Sequence, residues 1–470
     1  MFYLTSAALL VGGAFAQVPS ALYGTFYPKN INTTEWISND TIGTYGGIYQ
    51  AGTYDWNVEN KTYGTYDYCF MPHPRVQEYR LPAPVANGSV KAELVYLQYL
   101  QRHQRRTPYN ILPTGENQPF ECDNIDTYLY AGPGQGVSAQ APIDVYGETY
   151  TDPTNPFVKT YIPGTCQYPQ LTIGGLLDAY IHAQDLWGVY GEKLGFLPSC
   201  PDNTTWFRSS ESPLTQQTAG GVLRGIWPSY SKSLPLHQQA TDVDTVNEGF
   251  SCSYRNTILA DILNTSAWQA QLQAAAPLLA QLEPFTANDS AWTQTFDHLS
   301  DNFQSRLCNG YHLPCAINDT SDCVSMTQAD EVFRTGDWEW NYYWRAYPNA
   351  KTYIQTVEGL FIQEILARFA AVEAGTNTIK YEHDFIHDGD IGPVAGALGI
   401  SSLRWPGMGS NIAFELWRID GGSIYARVLY SGQPMETIYG LLEWLPLSQL
   451  VGILQEYVPE NIIQLCNTSS

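Results

Sequence analysis

A mixed apolar segment of strand length that ends in a cluster of positive charge constrains the fold more than any other part of the chain. Residues 93–100 read ELVYLQYL, and the heptapeptide RHQRRTP follows at 102–108. In open α/β sheets, ligands bind beyond the carboxyl ends of the strands. We therefore predict an α/β protein in which residues 102–108 contribute to a binding site at the carboxyl edge of its sheet.

The residue types in this cluster point to phosphate chemistry. His103 lies between guanidinium groups, which match the geometry of phosphate oxygens and stay charged at any working pH. An imidazole in that setting is suited to attack a phosphoryl group that the arginines hold. The alternative is a solvated basic turn after a strand. The local excess of positive charge is unusual here, because the chain has 23 Lys and Arg against 46 Asp and Glu.

The overall charge limits the kinds of partner. A formal net charge of −23 makes nucleic acid an improbable partner. It also repels anionic substrates, so a phosphate site must be locally basic or must work at low pH. We expect no membrane span, because no run of 18 or more apolar residues follows the N-terminal segment.

Several features predict export from the cell. Residues 1–16 have the apolar segment and small-residue cleavage pattern of a signal peptide. Nine Asn-x-Ser/Thr sequons predict N-linked glycans, and nine cysteines predict disulfides in an oxidising compartment, with one thiol left over and the pairing open. No Cys/His spacing indicates a metal site, and we expect no cofactor. The chain is thus predicted to be secreted, either extracellular or associated with the cell wall.

The sequence divides into four regions after the signal peptide. Residues 17–88 form a loop-rich N-terminal segment, 89–225 and 350–470 an α/β core with an irregular insertion at 111–167, and 226–349 a mostly helical cap. Within the core we predict a helix capped by Thr172 that runs to about residue 193. We further predict a helix at 215–223, one long helix at 353–373, and a terminal helix near 440–456. Strands are expected to end near residue 208, to begin near 378, and to span 413–419 and 424–430.

Two more polar motifs follow apolar stretches later in the chain. They read WFRSSE at 206–211 and FIHDGD at 385–390. Together with RHQRRTP, whose family form is Arg-His-Gly-x-Arg-x-Pro, they resemble the motifs of the histidine acid phosphatases. This family is the branch of the phosphoglycerate mutase-like superfamily that includes fungal acid phosphatases and phytases. The similarities run in the family's order from about residue 93 to 431.

The resemblance implies a fold and a set of roles. The fold would be a phosphoglycerate mutase-like α/β core sheet flanked by helices, with a mostly helical cap and the site in the cleft between them. The implied roles are His103 as the nucleophile that becomes phosphohistidine, Arg102, Arg106 and Arg208 as ligands of the phosphoryl oxygens with His387 assisting, and Asp388 as the proton donor to the leaving alcohol. The substrate would be a small phosphomonoester, and no metal would be needed.

The sequence departs from the family's pattern in the first motif and after the second. Gln104 replaces the usual glycine and would either narrow the pocket or hydrogen-bond the substrate. Arg105 would face either solvent or substrate. Leu214 stands where relatives often have another arginine. A second His-Asp pair, at 383–384, fits the family less well than 387–388 and is interpreted as part of a strand.

The predicted function is that of a secreted acid phosphatase acting through a phosphohistidine. A phytase is the alternative of the same class, and the small number of Lys and Arg residues disfavours it because phytate is densely anionic. A non-catalytic secreted glycoprotein on the same scaffold is the alternative of a different class, with Gln104 as the mark of lost activity. Oligomeric state is left open.

Overall fold

The structure is a computed structural model that describes residues 66–116, 164–400 and 403–468, together with some of the residues between 118 and 156. The predicted signal peptide, the first part of the N-terminal segment and most of the predicted insertion lie outside the described residues. No helix among the described residues is long and apolar enough to cross a membrane.

The helices of the described residues are α1 (Ala83–Ala86), α2 (Ile173–Leu186), α3 (Pro213–Ile226), α4 (Ser253–Asn264), α5 (Ser266–Thr286), α6 (Ser290–Thr293), α7 (Asp297–Cys308), α8 (Met326–Asn341), α9 (Ala350–Val357), α10 (Gly359–Glu373), α11 (Asp388–Ala397), α12 (Leu447–Gln455) and α13 (Ile462–Cys466). Two of them are extended by π-helical segments, α2 by Trp187–Lys193 and α8 by Tyr342–Ala346.

The strands are β1 (Ala92–Arg102), β2 (Thr127–Tyr128), β3 (Tyr146–Gly147), β4 (Thr205–Ser209), β5 (Cys315–Ala316), β6 (Asp319–Cys323), β7 (Tyr381–Ile386), β8 (Asn411–Ile419), β9 (Ile424–Tyr430), β10 (Gln433–Pro434), β11 (Glu436–Thr437), β12 (Gly440–Leu441) and β13 (Leu445–Pro446).

A mixed central sheet organises the fold, in the order β10-β9-β8-β1-β7-β4. Strands β1, β7 and β4 are parallel to one another, and β8 runs antiparallel to β1. Every residue of β7 and the last seven residues of β1 are buried, as expected for strands covered by helices on both faces. The predicted α/β fold with a helix-flanked sheet is confirmed.

The register of the parallel strands brings three loops to one edge. Arg102 at the end of β1 pairs with Ile386 at the end of β7, and Phe385 pairs with Ser209 at the end of β4. The three motifs found in the sequence include these strand ends and continue into the loops that follow them. They therefore leave the sheet side by side at its carboxyl edge.

Helices cover both faces of the sheet. Apolar side chains of α9, α10 and α11 pack with those of β8 and β9 in one core. On the other face α2 and α3 lie so close that a β carbon at Gly221 or Gly225 would come within 2.7 Å of Ala179 or 2.5 Å of Ala183. A separate apolar core lies among α5, α7 and α8, which belong to the region between 226 and 349.

Some predicted elements have different bounds in the structure. The Thr172 cap is confirmed, since its side chain accepts a hydrogen bond from the Gly175 N–H. The single helix predicted for 353–373 is wrong, because α9 ends and α10 begins around Glu358. The break presses Gly359 against Pro459, which leaves no room for a β carbon. The terminal helix begins at Leu447, after short strands that occupy the positions predicted as its start.

Four disulfides account for eight of the nine cysteines: Cys69–Cys308, Cys122–Cys166, Cys252–Cys466 and Cys315–Cys323. Cys200 is unpaired and exposed. The first of these bonds joins the N-terminal segment to the end of α7.

Candidate active site

Strand pairing places two histidines next to each other. The backbone N–H of His103, the first residue after β1, donates to the carbonyl of Ile386 at 3.1 Å. His387 follows Ile386 and forms the N-cap of α11. The two imidazole rings consequently lie 5.5 Å apart between their centroids.

His103 is held as a neutral imidazole in one tautomer. Its Nδ1 lies 2.9 Å from the carbonyl oxygen of Gln104, which can only accept, so Nδ1 carries the proton and Nε2 carries the lone pair. Burial lowers the pKa of His103 well below its usual value, and the charges of Arg102 and Arg106 lower it further. A neutral ring with a free Nε2 lone pair is the nucleophilic form.

Arg102 and Arg106 are both buried beside His103. Arg102 donates to the Pro406 carbonyl at 2.5 Å, and Arg106 donates to the Thr107 carbonyl at 3.0 Å. Within the described part of the chain, neither Nε atom has a hydrogen-bond partner. Buried donors without partners destabilise a folded protein, and an anion bound between the two arginines would satisfy them.

Asp388 lies at the start of α11 and faces the arginine of the first motif. Its Oδ2 lies 2.8 Å from a guanidinium nitrogen of Arg102 and accepts a 2.6 Å hydrogen bond from the indole of Trp405. Burial alone would raise the pKa of Asp388, but Arg102, Trp405 and Arg106 together hold it below the usual value. The carboxyl group is therefore ionised in the ligand-free protein.

His387 is fixed through its ring and its backbone. Its Nε2 lies 2.8 Å from the hydroxyl of Ser210, which follows β4. Its backbone N–H donates to the carboxylate of Asp390 at 2.8 Å. Burial lowers the pKa of His387 to about 4, with Arg102 and Arg106 acting in the same direction, so this ring is also neutral.

Arg208, expected to hold phosphoryl oxygens, has contacts with acidic residues. Its guanidinium donates to Glu364 at 2.6 Å, and to Asp244 and Thr245 at 2.7 and 2.8 Å. A role of Arg208 at the phosphoryl group stays a prediction. Leu214, at the position where relatives often have an arginine, is fully buried in α3.

Arg105 and Gln104 are also placed differently from the expectations for them. Arg105 faces neither solvent nor substrate, because it is buried and donates to Asp178 at 2.5 and 2.9 Å and to the Cys308 carbonyl. The amide of Gln104 is buried 3.3 Å from Nδ1 of His182. It packs so tightly against Gly409 that a β carbon there would come within 2.6 Å of it.

Three further residues reach the cluster from distant parts of the chain: Tyr68, Asp301 and Trp405. The guanidinium of Arg102 lies 5.3 Å from the centre of the Tyr68 ring and donates to its hydroxyl at 3.3 Å. Asp301 of α7 lies 2.6 Å from Arg106. No motif in the sequence marks them. The pairing of Cys69 with Cys308 would have been the one signal, since it joins the segments that carry Tyr68 and Asp301.

Within the described residues, no group of three or more His, Cys, Asp or Glu residues could hold a metal ion. The cluster combines a neutral imidazole nucleophile, two guanidinium groups and a carboxyl group that can exchange a proton. Such a set can bind a tetrahedral anion, accept it covalently and protonate a leaving group.

Comparison with known proteins gives consistent results. The histidine phosphatase superfamily (branch 2) matches residues 93–431. Counting factor 60 of Dictyostelium discoideum is 24% identical over 379 residues, which cover 78% of this chain and 84% of that protein. 2-Phosphoxylose phosphatase 1 of Xenopus tropicalis is 21% identical and covers 80% of this chain and 74% of its own length. The phytase structure from Citrobacter braakii superimposes with a TM-score of 0.52 at 11% identity, covering 80% of this chain and all of that one.

Proposed function

Because the chain belongs to branch 2 of the histidine phosphatase superfamily, we propose that it hydrolyses phosphomonoesters through a phosphohistidine at His103. Arg102 and Arg106 would hold the phosphoryl oxygens, and His387 would assist from the other side of the nucleophile. Asp388 would exchange the proton with the alcohol. Phosphoryl transfer depends mainly on positioning and on charge stabilisation, which these groups supply.

The reaction proceeds in two displacements. Nε2 of His103 attacks phosphorus, the bond from phosphorus to the alcohol oxygen breaks, and Asp388 gives that oxygen its proton. Water then attacks the phosphohistidine, Asp388 takes a proton from the water, and phosphate leaves with the His103 lone pair restored. A bound phosphate favours the protonated form of Asp388, which offsets the effect of Arg102 and Trp405.

One observation carries this proposal: the buried His103 presents a neutral Nε2 lone pair in a cluster that also contains the buried Arg102 and Arg106 and the ring of His387, 5.5 Å away. The arrangement therefore favours a site that receives phosphate.

We further propose that the protein is a secreted acid phosphatase, with N-linked glycans and the four disulfides of an exported protein. Acid conditions lower the negative charge of the chain, which is −23 at pH 7, and so reduce its repulsion of an anionic substrate. Phytate is the less favoured substrate, since Arg102 and Arg106, the guanidinium groups placed beside His103 in the described part of the chain, are each paired with a carboxylate.

A non-catalytic role is the second candidate, and a specific observation favours it. Arg208 is engaged by Asp244 and Glu364, and Leu214 replaces the arginine that relatives often carry. With two guanidinium groups instead of three, the charge that stabilises the transition state is reduced. The protein would then bind phosphate esters without turning them over.

The test is turnover of para-nitrophenyl phosphate between pH 4 and 7 by the glycosylated protein, with His103→Ala and His312→Ala as a matched pair. His312 is exposed and lies outside the cluster. We expect turnover in the unmodified protein and in His312→Ala, and none in His103→Ala. No turnover in the unmodified protein, with binding of orthophosphate retained, would establish the non-catalytic candidate instead. Equal turnover in both variants would exclude His103 as the nucleophile.

A further inference from the structure

A carboxylate from α7 lies in the wall of the proposed phosphate site. Asp301 is 4% exposed, and its Oδ1 lies 2.6 Å from a terminal nitrogen of Arg106. Its Oδ2 accepts a 2.7 Å hydrogen bond from the backbone N–H of Tyr109, which follows the first motif. The carboxylate is therefore fixed at both oxygens, between the helix that carries it and the loop that it faces.

Asp301 changes the charge balance at His103. Its charge reaches Arg102 and Tyr68 as well as Arg106. With Asp388 included, the two guanidinium groups near His103 face two carboxylates. A single phosphoryl group can still use the unpartnered Nε donors of both arginines. A second phosphate on the same substrate would meet no unpaired cation in this cluster.

The surroundings of Asp301 suit an uncharged polar leaving group. Tyr109 is 56% exposed, and the guanidinium of Arg106 lies 5.5 Å from the centre of its ring. An exposed aromatic ring offers a surface on which the apolar face of a sugar or another uncharged leaving group can stack.

We propose that Asp301 is a specificity-determining residue, which rejects phosphomonoesters that carry a second phosphate. This inference rests on the proposed function, because it concerns the choice among substrates of the same site. The rejection arises from like-charge repulsion, which is strong where water is largely excluded.

The test compares fructose 6-phosphate with fructose 1,6-bisphosphate at constant ionic strength. The unmodified protein should have the higher kcat/KM with the monophosphate. In Asp301→Asn, which keeps the size and an acceptor for the Tyr109 N–H, the ratio of kcat/KM for the bisphosphate to that for the monophosphate should rise about tenfold. Asp301→Glu, which keeps the charge, should stay close to the unmodified ratio.

Asp297→Asn is the matched control, since Asp297 lies one turn earlier on α7 with a side chain that is 46% exposed. An unchanged ratio in a folded Asp301→Asn variant, or an equal rise in Asp297→Asn, would overturn the proposal. If Asp301→Asn does not fold, the test is inhibition of the unmodified protein by orthophosphate and by pyrophosphate. Orthophosphate should inhibit at the lower concentration, and the reverse order would overturn the proposal. Absence of turnover with every ester would instead refute the proposed function.

Discussion

At the scale of single residues, the charge state of Asp388 is the feature with the clearest chemical consequence. A proton donor must hold a proton when the alcohol leaves, yet Arg102 and Trp405 stabilise the ionised form of this carboxyl group. The two requirements are reconciled when a bound phosphate takes over part of the Arg102 charge. The indole of Trp405 is an uncharged group that also opposes protonation of Asp388, and it can be removed without altering either arginine.

Trp405→Phe should move the alkaline limb of the pH profile to higher pH. Loss of the 2.6 Å indole hydrogen bond destabilises the carboxylate, so the pKa of Asp388 rises and its acid form persists to higher pH. The measurement is kcat/KM against pH for an alkyl phosphate such as glycerol 1-phosphate, whose leaving group needs the proton. Trp444→Phe, on a tryptophan that stacks with Tyr425, should leave the limb in place. A limb that does not move in Trp405→Phe would contradict the assignment.

The contacts of Arg208 and Arg106 predict that substitution by lysine lowers stability at the first residue and weakens phosphate binding at the second. Arg208→Lys loses the planar guanidinium that bonds to both Asp244 and Glu364, so we expect the free energy of unfolding to fall by about 1–3 kcal/mol and the melting temperature to fall with it. Inhibition by orthophosphate should change little. Arg106→Lys loses a planar donor set beside His103, so the inhibition constant for orthophosphate should rise about tenfold. Differential scanning calorimetry and inhibition assays on both variants separate these effects. A weakened inhibition in Arg208→Lys would return Arg208 to the phosphate site.

At the scale of elements, the sequence predicted what is encoded locally. The Thr172 cap, the end of β4 and the strand at 424–430 follow from side-chain pattern and capping chemistry, and the structure confirms them. The family resemblance implied that His103 and His387 share one site, and their rings lie 5.5 Å apart. The break at Glu358 places Gly359 against Pro459, about a hundred residues away, and no local pattern indicates that contact.

The same distinction applies to the site. Arg208 belongs to a recognisable motif, but the direction of its side chain is decided by Asp244 and Glu364, which the motif does not include. Asp301 and Trp405 come from elements that reach the cluster only after the chain has folded. Their contacts could not be predicted from the sequence, because the partners of Asp301 and Trp405 in the cluster, Arg106 and Asp388, are distant along the chain.

The disulfide between Cys69 and Cys308 should matter for substrate binding as well as for stability. It closes a sequence separation of 239 residues and ties the segment of Tyr68 to the end of α7, which carries Asp301. A loop of that length corresponds to about 5 kcal/mol of entropic stabilisation, against about 2.5 kcal/mol for the Cys315–Cys323 bond with its separation of 8. Removing the first bond should lower the melting temperature strongly and raise KM.

The test compares two double variants, Cys69→Ser/Cys308→Ser and Cys315→Ser/Cys323→Ser. Their melting temperatures and their KM values for para-nitrophenyl phosphate are measured. The second pair lies at the β5–β6 hairpin, where loss of the bond should affect the melting temperature less and KM not at all. Equal effects of the two double variants on KM would show that the long-range bond does not organise the site.

At the scale of the whole molecule, stability depends on buried groups that titrate in opposite directions. The pKa values of His103, His182, His383 and His387 are lowered chiefly by burial, so the unfolded chain takes up protons below about pH 6.5 that the folded chain refuses. The pKa values of Glu339 and Glu358 are raised by burial, and that of Asp390 is raised to about 7. These carboxyl groups hold protons in the folded state that the unfolded chain has released.

The melting temperature should accordingly rise as pH falls from 8 to about 6.5. In that interval the raised carboxyl groups become protonated in the folded state while the histidines of the unfolded chain are still mostly neutral. Below about pH 6.5 the histidines of the unfolded chain take up protons, which stabilises the unfolded state and opposes a further rise in melting temperature. Calorimetry at pH 8 and 6.5 measures the rise, and Asp390→Asn should reduce it. A melting temperature that falls between pH 8 and 6.5 would contradict this account.

The unpaired thiol of Cys200 has a practical consequence. It is exposed and comes shortly before β4, whose other end points toward the cluster at His103. With the remaining cysteines held in disulfides, a maleimide applied under non-reducing conditions would react at one position, remote from the proposed catalytic edge. That position offers a tether for surface immobilisation or a fluorophore for single-molecule work, with the entrance for small esters left uncovered.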